Sequence, residues 1–143
     1  MSARTPREPK TILLIDDDEL IARSLRQVLQ LEGCHVDVAL DSCTAALLMT
    51  KQSYDVILVD PYLTGGVHRE EGDLIASIRN VQPDASLIVL TGYGSPELAQ
   101  ELHDGRVSAL LTKPQSIAFL SHFLVAASNR GAAASQPSIK GQP

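Results

Sequence analysis

Short unbroken apolar runs alternate along the chain with longer stretches in which apolar residues recur every three or four positions. The runs Thr11–Ile15, His35–Ala39, Val56–Val59, Leu87–Leu90 and Val107–Leu111 have the length and aliphatic content of strands covered on both faces. After each run a helical pattern follows. Leu20–Leu31 sets Ile21, Leu25, Val28 and Leu29 on one stripe, and Ala45–Lys51 reads as a shorter helix. Leu74–Val81 aligns Leu74, Ile75 and Ile78, Ser95–His103 aligns Leu98 and Leu102, and Ile117–Ala127 aligns Ile117, Leu120 and Leu124. The punctuation agrees, with Gly33 just past the first helix, Asp41 or Ser42 able to cap the second, and Ser95 with Pro96 opening the fourth. Strict strand–helix alternation needs crossover connections, which are right-handed, so the predicted fold is α/β: a doubly wound (βα)5 domain around a five-stranded parallel sheet.

A chain of 143 residues is long enough for one ordinary core and short for two. Residues 1–9, with Pro6, Pro9 and several charges, read as a flexible leader, and residues 129–143 as a flexible tail of small and polar residues. Residues 10–128 are left as the single expected domain. The formal net charge is −5 and no long basic stretch occurs, which argues against a grip on nucleic acid. Cys34 and Cys43 lack metal-ligand spacing and read as free thiols of a reducing compartment. Arg4, Arg7 and Lys10 precede no signal-peptide core, and no stretch approaches the roughly 20 apolar residues of a membrane span, so the expectation is a cytoplasmic protein that avoids the membrane. His35, His68, His103 and His122 are scattered without ligand spacing.

In open α/β sheets, ligands bind beyond the carboxyl ends of the strands, so the residues just after each apolar run carry the information. These are Asp16, Asp17 and Asp18 after the first run, Asp60 after the third, Thr91 after the fourth, and Lys113 with Pro114 after the fifth. Carboxylates, a hydroxyl and an ammonium converging from separate strands form the inventory of an oxygen-ligand Mg2+ site with a cationic partner for phosphate. Simpler uses exist for each: a helix cap, which fits Asp18 best, an Asp60–Pro61 turn, a strand-end threonine, and a solvated lysine.

The segments ILLIDDDEL, YDVILVD, LIVLTGYGS and LLTKP, in this order, resemble the receiver domain of bacterial-type two-component response regulators over about residues 10–127. The resemblance implies a flavodoxin-like sheet of order 2-1-3-4-5. It also implies that Asp16 and Asp17 form the acidic pocket for Mg2+, with Asp17 favoured as a direct ligand, and that Asp60 is the phosphoacceptor and a further ligand. Under the same resemblance the backbone carbonyl of Tyr62 completes the metal site, Thr91 and Lys113 hold phosphoryl oxygens, and the Lys113–Pro114 bond is cis. These residue types suit the chemistry. A carboxylate attacking a phosphoryl group brings anion to anion, which a dication and an ammonium offset, and an ionised carboxylate needs no general base.

The implied function is a stand-alone receiver, phosphorylated on Asp60 by a histidine kinase or phosphotransfer protein and signalling by phosphorylation-dependent binding to a downstream protein. Such a domain catalyses only its own phosphorylation and dephosphorylation and is otherwise no enzyme. The resemblance admits a homodimer across the face of the fourth helix, fifth strand and fifth helix. Three departures qualify it. Leu110 stands where an aromatic usually precedes the lysine, the loop PYLTGGVHREEGDL is longer than usual before Gly72, and Gln115 replaces a frequent aromatic. Tyr93 is the nearest ring able to replace the missing one. The competing expectation is a receiver-fold adaptor uncoupled from phosphorylation; an aspartate-nucleophile hydrolase built on Asp16 and Asp18 leaves Asp60 unexplained.

Overall fold

The computed structural model describes residues 9–61, 71–92 and 96–129. Within them five strands alternate with five helices: β1 (Thr11–Ile15), α1 (Glu19–Leu31), β2 (His35–Ala39), α2 (Ser42–Lys51), β3 (Val56–Val59), α3 (Glu71–Val81), β4 (Ser86–Thr91), α4 (Pro96–His103), β5 (Ala109–Thr112) and α5 (Ile117–Asn129). The strands form one parallel sheet of order β2-β1-β3-β4-β5. Apart from Pro9 and Asn129, the expected leader and tail lie outside the described residues.

Side chains alternate across a strand, and that period divides the core in two. Leu13, Ile15, Ile57, Val59, Leu87 and Val89 face Ala45 and Met49 of α2, Ile75 and Ile78 of α3, and Leu98 of α4. On the other face Ile12, Leu14, Val56, Leu58, Ile88 and Leu90 meet Leu25 and Leu29 of α1 and Leu120 and Leu124 of α5. Both faces being covered, neither needs polar residues, which is why the runs are unbroken. Each fully buried Leu or Ile here contributes about 1.5–3 kcal/mol relative to exposure.

The helix ends follow local rules. Asp18 caps α1 by accepting from the Ile21 N–H at 3.2 Å, and Asp41 caps α2 by accepting from the Thr44 N–H at 2.7 Å. The second bond holds the exposed Asp41 carboxyl below its ordinary pKa. After α1, Gly33 takes φ +91°, its N–H bonding the Gln30 carbonyl while the Cys34 N–H reaches the Leu29 carbonyl. That pair of bonds closes the helix as a Schellman motif and requires the left-handed conformation that glycine tolerates.

Two apolar positions depart from the expected pattern. Val107 lies before β5 rather than in it: its N–H bonds the Glu101 carbonyl and its side chain plugs the α4 face of the core, so the ladder begins only at Ala109. Leu102 was expected inside with Leu98, yet it is 40% exposed, because the short α4 presents a single buried row.

The amino ends of the strands are tied by polar side chains. Gln82 is buried; its Oε1 accepts from the Tyr54 N–H at 2.9 Å, and its Nε2 donates to the carbonyls of Met49 and Gln52 at 3.0 and 2.8 Å. Arg79 donates to the carbonyls of Arg106 and Ala85, both at 2.7 Å, joining the end of α3 to the turn before β5. Replacing Gln82 by leucine leaves three backbone groups unpaired, so Gln82→Leu is expected to lower stability by about 2–4 kcal/mol. Urea unfolding monitored by circular dichroism checks this; a midpoint equal to that of the wild type would contradict it.

Candidate functional site

Asp16 and Asp60 extend the ladder one step beyond the apolar strands that carry them. The Asp16 N–H bonds the Ala39 carbonyl at 3.1 Å, and the Asp60 N–H bonds the Ile15 carbonyl at 2.9 Å. Their carboxyl groups are thereby fixed at the carboxyl edge of the sheet, where both residues are nearly closed to solvent, at 6% and 7% exposure. Asp17 joins them: one carboxylate oxygen each from Asp16, Asp17 and Asp60 lie within 4.8 Å of one another. Of the four metal residues expected from the sequence these three lie together, and Tyr62 lies outside the described residues, as does Tyr93.

Lys113 comes from one residue past β5, where its N–H bonds the Thr91 carbonyl at 2.8 Å and the following Lys113–Pro114 bond is cis. Its Nζ donates to Asp60 Oδ2 at 2.8 Å and stands 3.8 Å from Asp16 Oδ2. Thr91 ends β4, is fully buried, and pairs with Thr112 two residues beyond the Val59–Val89 level of the sheet. Every expected site residue that is described therefore sits at the same sheet edge.

The electrostatics follow from this crowding. Burial raises the pKa of Asp16; the Asp18 N–H and the Lys113 ammonium act against the rise, while the charges of Asp60 and Asp17 add to it. Burial also disfavours the charged form of Lys113, but its bond to Asp60 and the charges of Asp16, Asp60 and Asp17 outweigh that and raise its pKa. The ammonium is thus held charged by the carboxylates that surround it.

A donor set of carboxylate oxygens suits a hard divalent cation such as Mg2+ or Ca2+ better than a thiophilic metal, and three convergent oxygens leave room for water and substrate ligands. The cluster fits the metal that the sequence implied. His35, His103 and His122 contribute nothing to it, and His35 begins β2 at the opposite end of the sheet.

One contact was not anticipated. Besides capping α1, Asp18 directs its own N–H to Asp16 Oδ1 at 2.9 Å. Sequence marks Asp18 as a cap through its place before an amphipathic run, but it carries no sign of where a backbone N–H points. Leu110 is half-buried against the core face lined by Leu98 and Val107. Gln115 is partly buried, its Nε2 donating to the Thr112 carbonyl at 2.8 Å. Among the described residues, no helix is long and apolar enough to cross a membrane.

Comparison with known proteins agrees with this arrangement. A response regulator receiver domain protein (CheY-like) from Methanospirillum hungatei superposes with a TM-score of 0.77 at 24% identity, over 88% of this chain and 98% of that one. A response regulator protein from Burkholderia pseudomallei, solved with a phosphorylated aspartic acid, calcium ion and citrate, is 32% identical, with a TM-score of 0.67 over 88% of this chain and 73% of its own. Among curated relatives, the photosynthetic apparatus regulatory protein RegA of Rhodovulum sulfidophilum is 27% identical over 75% of this chain, and the transcriptional regulatory protein GlrR of Escherichia coli is 31% identical over 75%. This chain spans 57% of the first and 23% of the second. The response regulator receiver domain family matches residues 12–124, from the first apolar strand to the last core leucine of α5, and the chain belongs to that family.

Proposed function

We propose that this chain is a phosphorylation switch whose acceptor is Asp60, working as a receiver in a two-component or phosphorelay pathway. The observation that carries this reading is the buried Asp60 carboxylate bonded to the Lys113 ammonium at 2.8 Å beside the carboxylates of Asp16 and Asp17. In the proposed reaction an Asp60 oxygen attacks phosphorus, a P–O bond forms, and the bond to the donor's imidazole nitrogen or acyl oxygen breaks, its electron pair leaving with the donor. Lys113 then turns from the carboxylate to a phosphoryl oxygen, and the Thr91 hydroxyl holds another. Asp16, Asp17, Asp60 and the carbonyl of Tyr62 would hold Mg2+, which when bound supplies charge neutralisation between phosphoryl group and carboxylates. The calcium ion and phosphorylated aspartic acid of the Burkholderia pseudomallei relative support both parts.

A histidine kinase or phosphotransfer protein is the proposed donor, and a separate protein that prefers one phosphorylation state is the proposed output. The net charge of −5 supports a protein target over nucleic acid, although relatives of this chain are transcriptional regulators. The proposed organisation is a leader over residues 1–9, the receiver over 10–128 and a tail over 129–143, in a cytoplasmic protein with free thiols. It performs no chemistry beyond its own phosphorylation and dephosphorylation. Leu110 favours a second reading, an adaptor uncoupled from phosphorylation, because an aliphatic side chain offers no ring or hydroxyl to reposition.

Incubation with Mg2+ and acetyl phosphate is expected to add one phosphoryl group, seen by intact mass and absent from Asp60→Asn; persistence of the label in that variant would sink the assignment. Labelling without any change in amide exchange over α4 and β5 would favour the adaptor. Lys113→Met is expected to slow labelling by about 100-fold or more while the protein stays folded, a loss on the scale of removing one charge-stabilising donor. Mg2+ is expected to raise the melting temperature of the wild type. Asp16→Asn, which relieves repulsion in the metal-free cluster, should raise the metal-free melting temperature and abolish the Mg2+ increment; a full increment in that variant would count against Asp16 as a ligand.

A further inference from the structure

Asp16 and Asp18 are joined by a bond that neither helix capping nor the phosphoryl chemistry requires. The Asp16 carboxylate has two oxygens in different surroundings: Oδ2 faces the Lys113 ammonium at 3.8 Å, while Oδ1 accepts from the Asp18 N–H at 2.9 Å. A carboxylate held at one oxygen keeps the plane of the other, so the bond fixes how Asp16 presents itself to the cluster.

The Asp18 N–H is itself fixed by what Asp18 does at α1. The Asp18 side chain accepts from the Ile21 N–H at 3.2 Å, its carbonyl accepts from the Ala22 N–H at 3.0 Å, and its backbone is held at φ −84°, ψ 95°. The residue is exposed, whereas Asp16 is buried. Its carboxylate is thus engaged with the helix end, and Asp16, Asp17 and Asp60 make up the convergent cluster.

We propose that Asp18 is a positioning residue for the cation site: its side chain pins the first turn of α1, and its N–H thereby holds the Asp16 carboxylate in the plane from which it binds metal. The proposal rests on the cation reading given above. It assigns Asp18 a role through geometry rather than through charge, so asparagine and serine, which cap helices about as well as aspartate, should replace it, and alanine should not. Partners that orient a metal ligand influence affinity by holding it ready, and their loss typically costs about 10–100-fold.

Mg2+ titrated into the full chain by isothermal calorimetry tests this, with wild type, Asp18→Asn, Asp18→Ser, Asp18→Ala and Asp17→Asn in parallel. Hydrogen exchange of the residue-18 amide is followed in the same proteins. The expected result is affinity within about twofold of wild type for the asparagine and serine variants. For alanine the expectation is weakening of about 10-fold, at the low end for an outer partner, with faster exchange of the residue-18 amide. Wild-type affinity in the alanine variant would overturn the proposal, as would equal weakening in all three, which would assign the effect to charge. A wild type that takes up no Mg2+ would overturn the cation reading along with it, an outcome distinct from binding that Asp17→Asn abolishes and Asp18→Ala leaves intact.

Discussion

Three carboxylates gathered at one sheet edge, two of them on nearly closed residues, impose the constraint to which the rest of this molecule answers. Like charges at such distances oppose one another strongly where water is scarce, and burial adds its own penalty to each. The fold offsets this with one ammonium, Lys113, delivered from the far strand of the sheet onto Asp60 and within reach of Asp16. The Asp18 N–H adds a fixed dipole on the side away from the lysine. Burial above all, with the charges of Asp60 and Asp17 adding to it, raises the pKa of Asp16. A cation bound among the three carboxylates, as proposed for Mg2+, would relieve that repulsion.

Holding repelling groups together needs a scaffold that does not yield. The interior strand positions carry aliphatic side chains into one of two cores, and the side chains of adjacent strands lock one another at a defined register. The opposite edge is tied by Gln82 and Arg79, whose bonds satisfy carbonyls from the end of α2, the turn before β4 and the turn before β5. One edge is thus saturated with hydrogen bonds while the other concentrates unbalanced charge. The proposed binding and chemistry belong to the second.

The sequence carries the sheet plainly, because a strand covered on both faces has no polar alternation to confuse with a surface strand. It carries Asp16, Asp17, Asp60, Thr91 and Lys113 for a related reason: each lies within two residues of the end of an apolar run, and the topology brings those positions to one edge. Val107 was misplaced because an apolar residue that plugs a core from a turn looks, in one dimension, like one that enters a ladder. Gln82 was invisible because its three partners lie in segments about 30 residues away and a lone glutamine has no pattern. The Asp18 N–H on Asp16 was hidden more deeply, since a backbone donor exists at every residue except proline and only the turn decides its target.

Leu110 sets a limit on how a signal could pass from this site. It is already half-buried, so completing its burial would yield only part of the about 1.5–3 kcal/mol that a fully exposed leucine gains. Carrying a two-state equilibrium from one extreme to the other takes about 5.5 kcal/mol of differential binding. Leu110 therefore cannot supply the difference between two conformations, and neither can it strongly oppose one, having no hydroxyl to strand in an apolar place. In the proposed switch the free energy would come from contacts that change around Asp60, where Lys113 would exchange the carboxylate for a phosphoryl oxygen, and β5 is joined to β4 at that point by the main-chain bond from the Lys113 N–H to the Thr91 carbonyl.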